Sequence, residues 1–260
     1  MTEWDAAGYS RISSLQAAMA QEVLALLDLS GSERIVDVGC GEGKITAEIA
    51  SRVQQGSVVG IDPSSDMIRF AQDHFTRANL KFEVADARHL SFENEFDLAV
   101  SFNALHWIPD QDAALRSICS ALVRSGKAQF RLVTAGARES LEGVVEETRT
   151  APEWEVYFKN FQDPYLRLTP AEYVAVAERN GFRVLRVNTH DHSWDFGSRA
   201  AFAGFSAVGL VAWTDRLPAT KRQKFVDAVL DRYQLAAATH AGEENTFKFY
   251  QTDIAMTKSG

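Results

Sequence analysis

The stretch RIVDVGCGEGKIT, Arg34 to Thr46, decides the fold. The β-branched residues Ile35, Val36 and Val38 read as a buried strand. Glycines at 39, 41 and 43 then let the backbone turn sharply, and a helix-compatible run begins near Gly43. Strand, tight turn and helix N-terminus in succession form a cradle that a ligand approaches without meeting a Cβ. Spacing narrows the ligand. The dinucleotide fingerprint Gly-x-Gly-x-x-Gly/Ala wants a tiny residue where Lys44 stands, and a P-loop wants Ser or Thr where Ile45 stands. What remains is Asp37-x-Gly39-x-Gly41-x-Gly43, with an acid at the strand end that repels a pyrophosphate and attracts a cation.

Outward from this stretch the chain alternates. The patterns predict strand 34–38, helix 43–53, strand 57–61, helix 64–76, strand 80–84, strand 97–102, helix 111–124 and strand 127–133. That rhythm implies an α/β fold with a parallel sheet covered on both faces. Before it, SSLQAAMAQEVLALLDL (13–29) repeats apolar residues at helical spacing, predicting an N-terminal helical cap within residues 1–30. After Val133 the rhythm breaks. Residues 138–166 are rich in aromatics (Trp154, Tyr157, Phe158, Phe161, Tyr165), and 198–239 form a second helical stretch interrupted at DRLPAT; together they predict a helical lid. Between them, Thr169, Pro170 and Gly181 supply the start and stop signals of a helix leading into a strand at 182–188. NTFKFYQTDIAMT suits a last strand beside it. The expectation is one domain over 1–260, with its core at 31–135.

Composition excludes several classes. The chain has 260 residues, Lys+Arg 27 against Asp+Glu 35, and net charge -8, a poor match for a phosphate-backbone partner. Two cysteines, Cys40 and Cys119, support neither a disulfide framework nor a zinc site, and His190 and His192 have no third ligand nearby in sequence. No metal is expected. The acidic N-terminus and the lack of a long apolar run predict a cytoplasmic protein with no membrane partner.

Acids recur at successive strand ends. Asp62 in GIDPSSDMI is placed to accept from ribose hydroxyls, and Asp86 in VADARHL from an exocyclic amine or from the backbone of its own turn, as a cap. These segments, with FDLAVSFNALHWIPD, resemble the Rossmann-like class I S-adenosylmethionine-dependent methyltransferases over roughly residues 30–135. The resemblance implies a seven-stranded, mostly parallel sheet whose last strand runs antiparallel. It implies S-adenosylmethionine as cofactor, with Asp37, Gly39, Gly41 and Gly43 at its methionine part, and Asp62, Pro63 and Met67 around the ribose. Asp86 and Ala87 would meet the adenine, and Asn103 would lie near the transferred methyl. More narrowly, YSRISSLQAAMAQEVL, SFNALHWIPDQDAAL and DRLP resemble the trans-aconitate and juvenile hormone acid carboxyl methyltransferases. That likeness implies a small carboxylic acid as acceptor, oriented by Gln16 and Trp107 with His106 beside them. The aromatics favour an acid with some apolar surface. Two alternatives stay open: a hydroxyl or amine acceptor with His106 as base, and a non-catalytic cofactor-binding protein that uses the lid for a partner. Oligomeric state is not readable.

Overall fold

A computed structural model describes residues 22–260. Among them, strands β1 (Arg34–Val38), β2 (Ser57–Asp62), β3 (Leu80–Val84), β4 (Phe96–Phe102), β5 (Leu122–Thr134), β6 (Phe182–Asp195) and β7 (Thr246–Lys258) form one sheet, ordered β3-β2-β1-β4-β5-β7-β6. The first five run parallel, and β7 inserts antiparallel between β5 and β6. This is the Rossmann-like α/β arrangement expected, down to the reversed last strand. Strand order reverses at β1, so the carboxyl ends of β1 and β4 flank a crevice, the place where open α/β sheets hold ligands.

β1 is buried along all but its first residue because helices cover both of its faces. On one face, α1 (Lys44–Arg52) and α2 (Ser65–His74) bury Ile49, Ala50, Ile68 and Ala71 against Ile35, Val58 and Phe82. On the other, α3 (Gln111–Ala121) and α5 (Pro170–Arg179) pack on Val36, Phe130 and Ile254. A third cluster joins α4 (Leu141–Arg149), α6 (Arg199–Gly209), α7 (Val211–Thr214) and α8 (Ala219–Ala237) to Phe247 and Phe249 of β7. These helices come from the two stretches expected to form a lid.

Several boundaries differ from the sequence reading. The N-terminal helix expected at 13–29 lies mostly outside the described residues; what is described is helical over 22–25, after which Leu27 and Leu29 pack against the first core face instead of continuing the helix. α3 stops at Ala121 and β5 starts five residues early, because Leu122 pairs with Phe96 before the register shifts and Ser125 takes a left-handed turn, φ 63°. β6 runs on to Asp195, since its polar half, NTHDHSWD, follows β7 through an unbroken antiparallel ladder. Across the β5–β7 ladder the buried Arg131 guanidinium grips Asp253 at 2.6 and 2.8 Å and reaches Glu22 at 2.9 Å, so the described N-terminal turn is tied to β5. No helix among the described residues is long and apolar enough to cross a membrane.

Candidate active site

A cavity of about 1010 Å³ opens at the carboxyl ends of β1 and β4 and continues beneath the third cluster. Asp37, Gly39, Gly41, Asp62, Pro63, Met67, Asp86, Ala87, Asn103, His106 and Trp107 all line it, so the structure brings together residues that the sequence reading drew from four separate motifs. Gln16 lies outside the described residues. Gly43 is the exception within the turn: it stands behind the wall, in a left-handed conformation (φ 85°) at the start of α1, where a Cβ would come within 2.7 Å of Ala71 and Phe82. Its part is to seat the helix against the sheet.

The turn is fixed from the neighbouring strand. The amides of Gly39 and Cys40 both donate to the Ile61 carbonyl, at 2.8 and 2.9 Å. At Gly39 φ is 77°, and a Cβ would sit 2.2 Å from that of Ala104, so the close approach of the turn to the β4 loop requires glycine. Asp37 is 2 % exposed and accepts from Thr46 Oγ1 at 2.7 Å. Burial, opposed by Thr46 and reinforced by the nearby Asp62, pushes its carboxyl up to about 7. Asp62 accepts from Gly41 N–H at 3.1 Å and Ser64 N–H at 2.9 Å, bracing the turn from β2. A buried acid with so high a pKa suits a ligand that brings a cation, and a second acid at the next strand end suits hydroxyl donors. This pair of acceptors fits the amino and ribose groups of S-adenosylmethionine.

Asp86 is more heavily engaged than the sequence reading anticipated. It caps the turn at Ala87–His89 by accepting from Arg88 N–H, and the Arg88 guanidinium closes on both of its oxygens at 2.6–3.0 Å. That pairing holds its carboxyl below the usual range. An adenine amine reaches Asp86 only if Arg88 turns aside.

After β4 the chain turns left-handed at Asn103 (φ 57°), whose backbone N–H donates to the Arg131 carbonyl at 2.7 Å and whose Oδ1 accepts from Gln251 Nε2 at 2.9 Å. Gln111 then ties down the turn over Leu105–Trp107 by donating to the carbonyls of Leu105 and Ile108, both at 2.6 Å. His106 is 5 % exposed; its Nδ1 accepts from Val133 N–H at 3.2 Å, which leaves the proton of the neutral ring on Nε2. Burial pushes its pKa down to about 3. The ring therefore presents a neutral Nε2–H donor across the physiological range. Trp107 and His106 each lie 4.9 Å, ring to ring, from Tyr165, and Trp107 lies 6.0 Å from Trp213. These rings lead into the aromatic half of the cavity, where Phe161, Phe205, Phe247 and Glu142 add to the wall.

Sequence reasoning missed Arg88, Gln251 and Glu142. Gln251 meets Asn103 across 148 residues of chain, and Glu142 stands in an ordinary helix first turn; neither carries a local signal.

Comparison with known proteins agrees with the fold. Residues 35–126 match the family model described as a methyltransferase domain. The chain is 27% identical to 235L of Invertebrate iridescent virus 6, a methyltransferase by name, over 88% of this chain and 85% of that one. It is 26% identical to a trans-aconitate 2-methyltransferase of Deinococcus radiodurans over 98% of both chains. Among solved structures, phosphoethanolamine N-methyltransferase 2 of Haemonchus contortus, in complex with phosphomonomethylethanolamine and S-adenosylhomocysteine, superposes with a TM-score of 0.61 at 17% identity, covering 94% of this chain and 53% of that one.

Proposed function

The chain belongs to the class I S-adenosylmethionine-dependent methyltransferases, and from that premise we propose that it methylates a carboxylate oxygen of a small acid with apolar surface, forming a methyl ester. The observation that carries this reading is His106. At the junction of the acid-lined and aromatic halves of the cavity, its Nδ1 is taken by the Val133 amide, so the ring offers Nε2–H as a donor, and burial lowers its pKa to about 3, which favours a donor's role over a base's. A carboxylate needs no base, since it is already a nucleophile and requires placement and removal of water. The likeness to a trans-aconitate 2-methyltransferase along nearly the whole chain supports the same choice.

When bound, S-adenosylmethionine supplies an electrophilic methyl on a sulfonium. In this proposal the glycine turn and Asp37 hold its methionine part, Asp62, Pro63 and Met67 the ribose side, and Asp86 and Ala87 the adenine, with Asn103 near the methyl. His106 Nε2–H and the Trp107 indole N–H, joined by Gln16, orient the acceptor carboxylate without protonating it. The rings of Trp107 and Tyr165, the former backed by the buried Trp213, keep water out, which sharpens the nucleophile and prevents its solvation during transfer. As part of the same reading we propose a cytoplasmic location, for which the support is the sparse cysteine content, Cys40 and Cys119 alone.

One observation favours a second reading. Glu142 has a carboxyl pushed by burial up to about 6, a value suited to a base for a hydroxyl or amine acceptor. The pH dependence of kcat, measured with both substrates saturating, separates the two. Ester formation predicts a flat kcat from pH 8 down through 6 and toward the acceptor's own pKa. A base-dependent transfer predicts a tenfold fall per pH unit once Glu142 protonates, at about pH 6.

A further inference from the structure

One charged side chain in the aromatic half of the cavity has no part in the transfer as described. Glu142 stands in the first turn of α4, partly buried, and its carboxyl takes up its own backbone N–H. No side chain among the described residues donates to it. Arg167 lowers its pKa somewhat from a distance without bonding to the carboxyl: one terminal guanidinium nitrogen donates to Asp163 Oδ2 and to the Tyr165 carbonyl, the other to the backbone carbonyl of Glu142, and the buried Nε has no partner among the described residues. The N-terminus of a helix favours an acid. Ser140 already caps α4, however, and that role does not call for a carboxyl on the wall of a cavity.

The surroundings define what would compensate this charge. Glu142 is close enough to Tyr165 to raise the phenol's pKa, and Tyr165 stacks edge-on with Trp107, beside the point of transfer. Phe205 adds further ring surface to the same wall, whereas Phe161 already carries the guanidinium groups of Arg149 and Arg216, 5.3 and 5.5 Å from its centroid. Aromatic rings and a carboxylate together attract a cationic nitrogen: the rings by their quadrupole, the carboxylate by charge and hydrogen bonding. At the exposed rim, Asp215 pairs with Arg222 at 3.1 Å and the Arg216 guanidinium lies over Phe161, and neither arginine bonds to the Glu142 carboxyl.

We infer that Glu142 is the specificity-determining residue of the acceptor pocket, and that it receives an ammonium group carried by the acceptor away from its methylated carboxylate. The preferred substrates are then amino acids in the broad sense, acids with an amine at a distance along an apolar body. This rests on the carboxylate reading above.

The test uses straight-chain fatty acids and ω-amino acids of matched length. Turnover with S-adenosylmethionine and calorimetric binding to the enzyme loaded with S-adenosylhomocysteine are measured for wild type and Glu142→Gln, whose titration with S-adenosylhomocysteine reports that each is folded. The expected result is a wild-type preference for the amino acids of at least about tenfold, falling to about threefold or less in Glu142→Gln, with base-labile esters as products. Equal treatment of the two series by wild type, in turnover and binding alike, overturns the inference, as does a preference that survives the substitution. A base-stable N-methyl product overturns both this inference and the carboxylate reading, whereas esters formed without preference overturn the inference alone.

Discussion

Replacing Asp37 by Asn removes one charge from a site that is otherwise preserved, since Asn still offers Thr46 Oγ1 an acceptor. In the ligand-free protein Asp37 has a pKa of about 7, raised chiefly by burial. A cationic amino group must meet the ionised form, so binding expels a proton whenever the pH lies below that value. Affinity for S-adenosylhomocysteine, which carries the same amino group as the cofactor, should therefore be level above about pH 7 and weaken by up to about tenfold per unit below it. Asp37→Asn should bind about 10- to 150-fold more weakly at pH 8, the worth of a hydrogen bond to a charged group, and lose the pH dependence. Stability should move the other way. Because the folded-state pKa lies above the unfolded one, the wild-type contribution is fully present below about pH 4 and is lost as pH rises toward about 7. Asn does not titrate, so the ligand-free variant should melt no lower than wild type at pH 8. Calorimetric titration at several pH values and thermal melts of both proteins supply the comparison. Unaltered affinity in Asp37→Asn, or a wild-type affinity that is level from about pH 5.5 to 8, would refute the reasoning.

Gly39→Ala places a Cβ 2.2 Å from Ala104 Cβ at a residue with φ 77°; a loss of at least about 2 kcal/mol and a melting point several degrees lower should follow, and an unaltered melt would contradict the close packing claimed there. Arg88→Ala frees Asp86 from its present partner. Since that pair is partly exposed, S-adenosylmethionine binding should tighten by no more than about fivefold; weaker binding would show that Arg88 itself holds the ligand. The flat kcat profile expected of ester formation is a fourth prediction, read with the acceptor and cofactor both saturating.

The cofactor half of the cavity was legible because its parts are local. A buried strand, three glycines and a helix start lie within Arg34–Thr46, and the acids of β2 and β3 each mark a strand end. Periodicity failed where tertiary pairing took over. The polar end of β6 has no alternation to reveal it and is a strand only because β7 lies beside it, and β5 begins early because Leu122 finds Phe96 across the sheet. His106 shows the limit for single residues. Its place in the cavity followed from NALHW, but its neutrality depends on burial, and its tautomer on the amide of Val133, 27 residues away. The acceptor half was least legible, since Glu142, Tyr165 and Phe205 reach it from different helices and loops.

The central claim is that the methyl goes to a carboxylate oxygen. The most direct measurement incubates the purified protein with methyl-labelled S-adenosylmethionine and a panel of acids, phenols and amines, then treats the labelled product with mild base. Ester formation predicts label on acids alone, released as volatile methanol by the base. Label that stays on a phenol or an amine after the same treatment would contradict it.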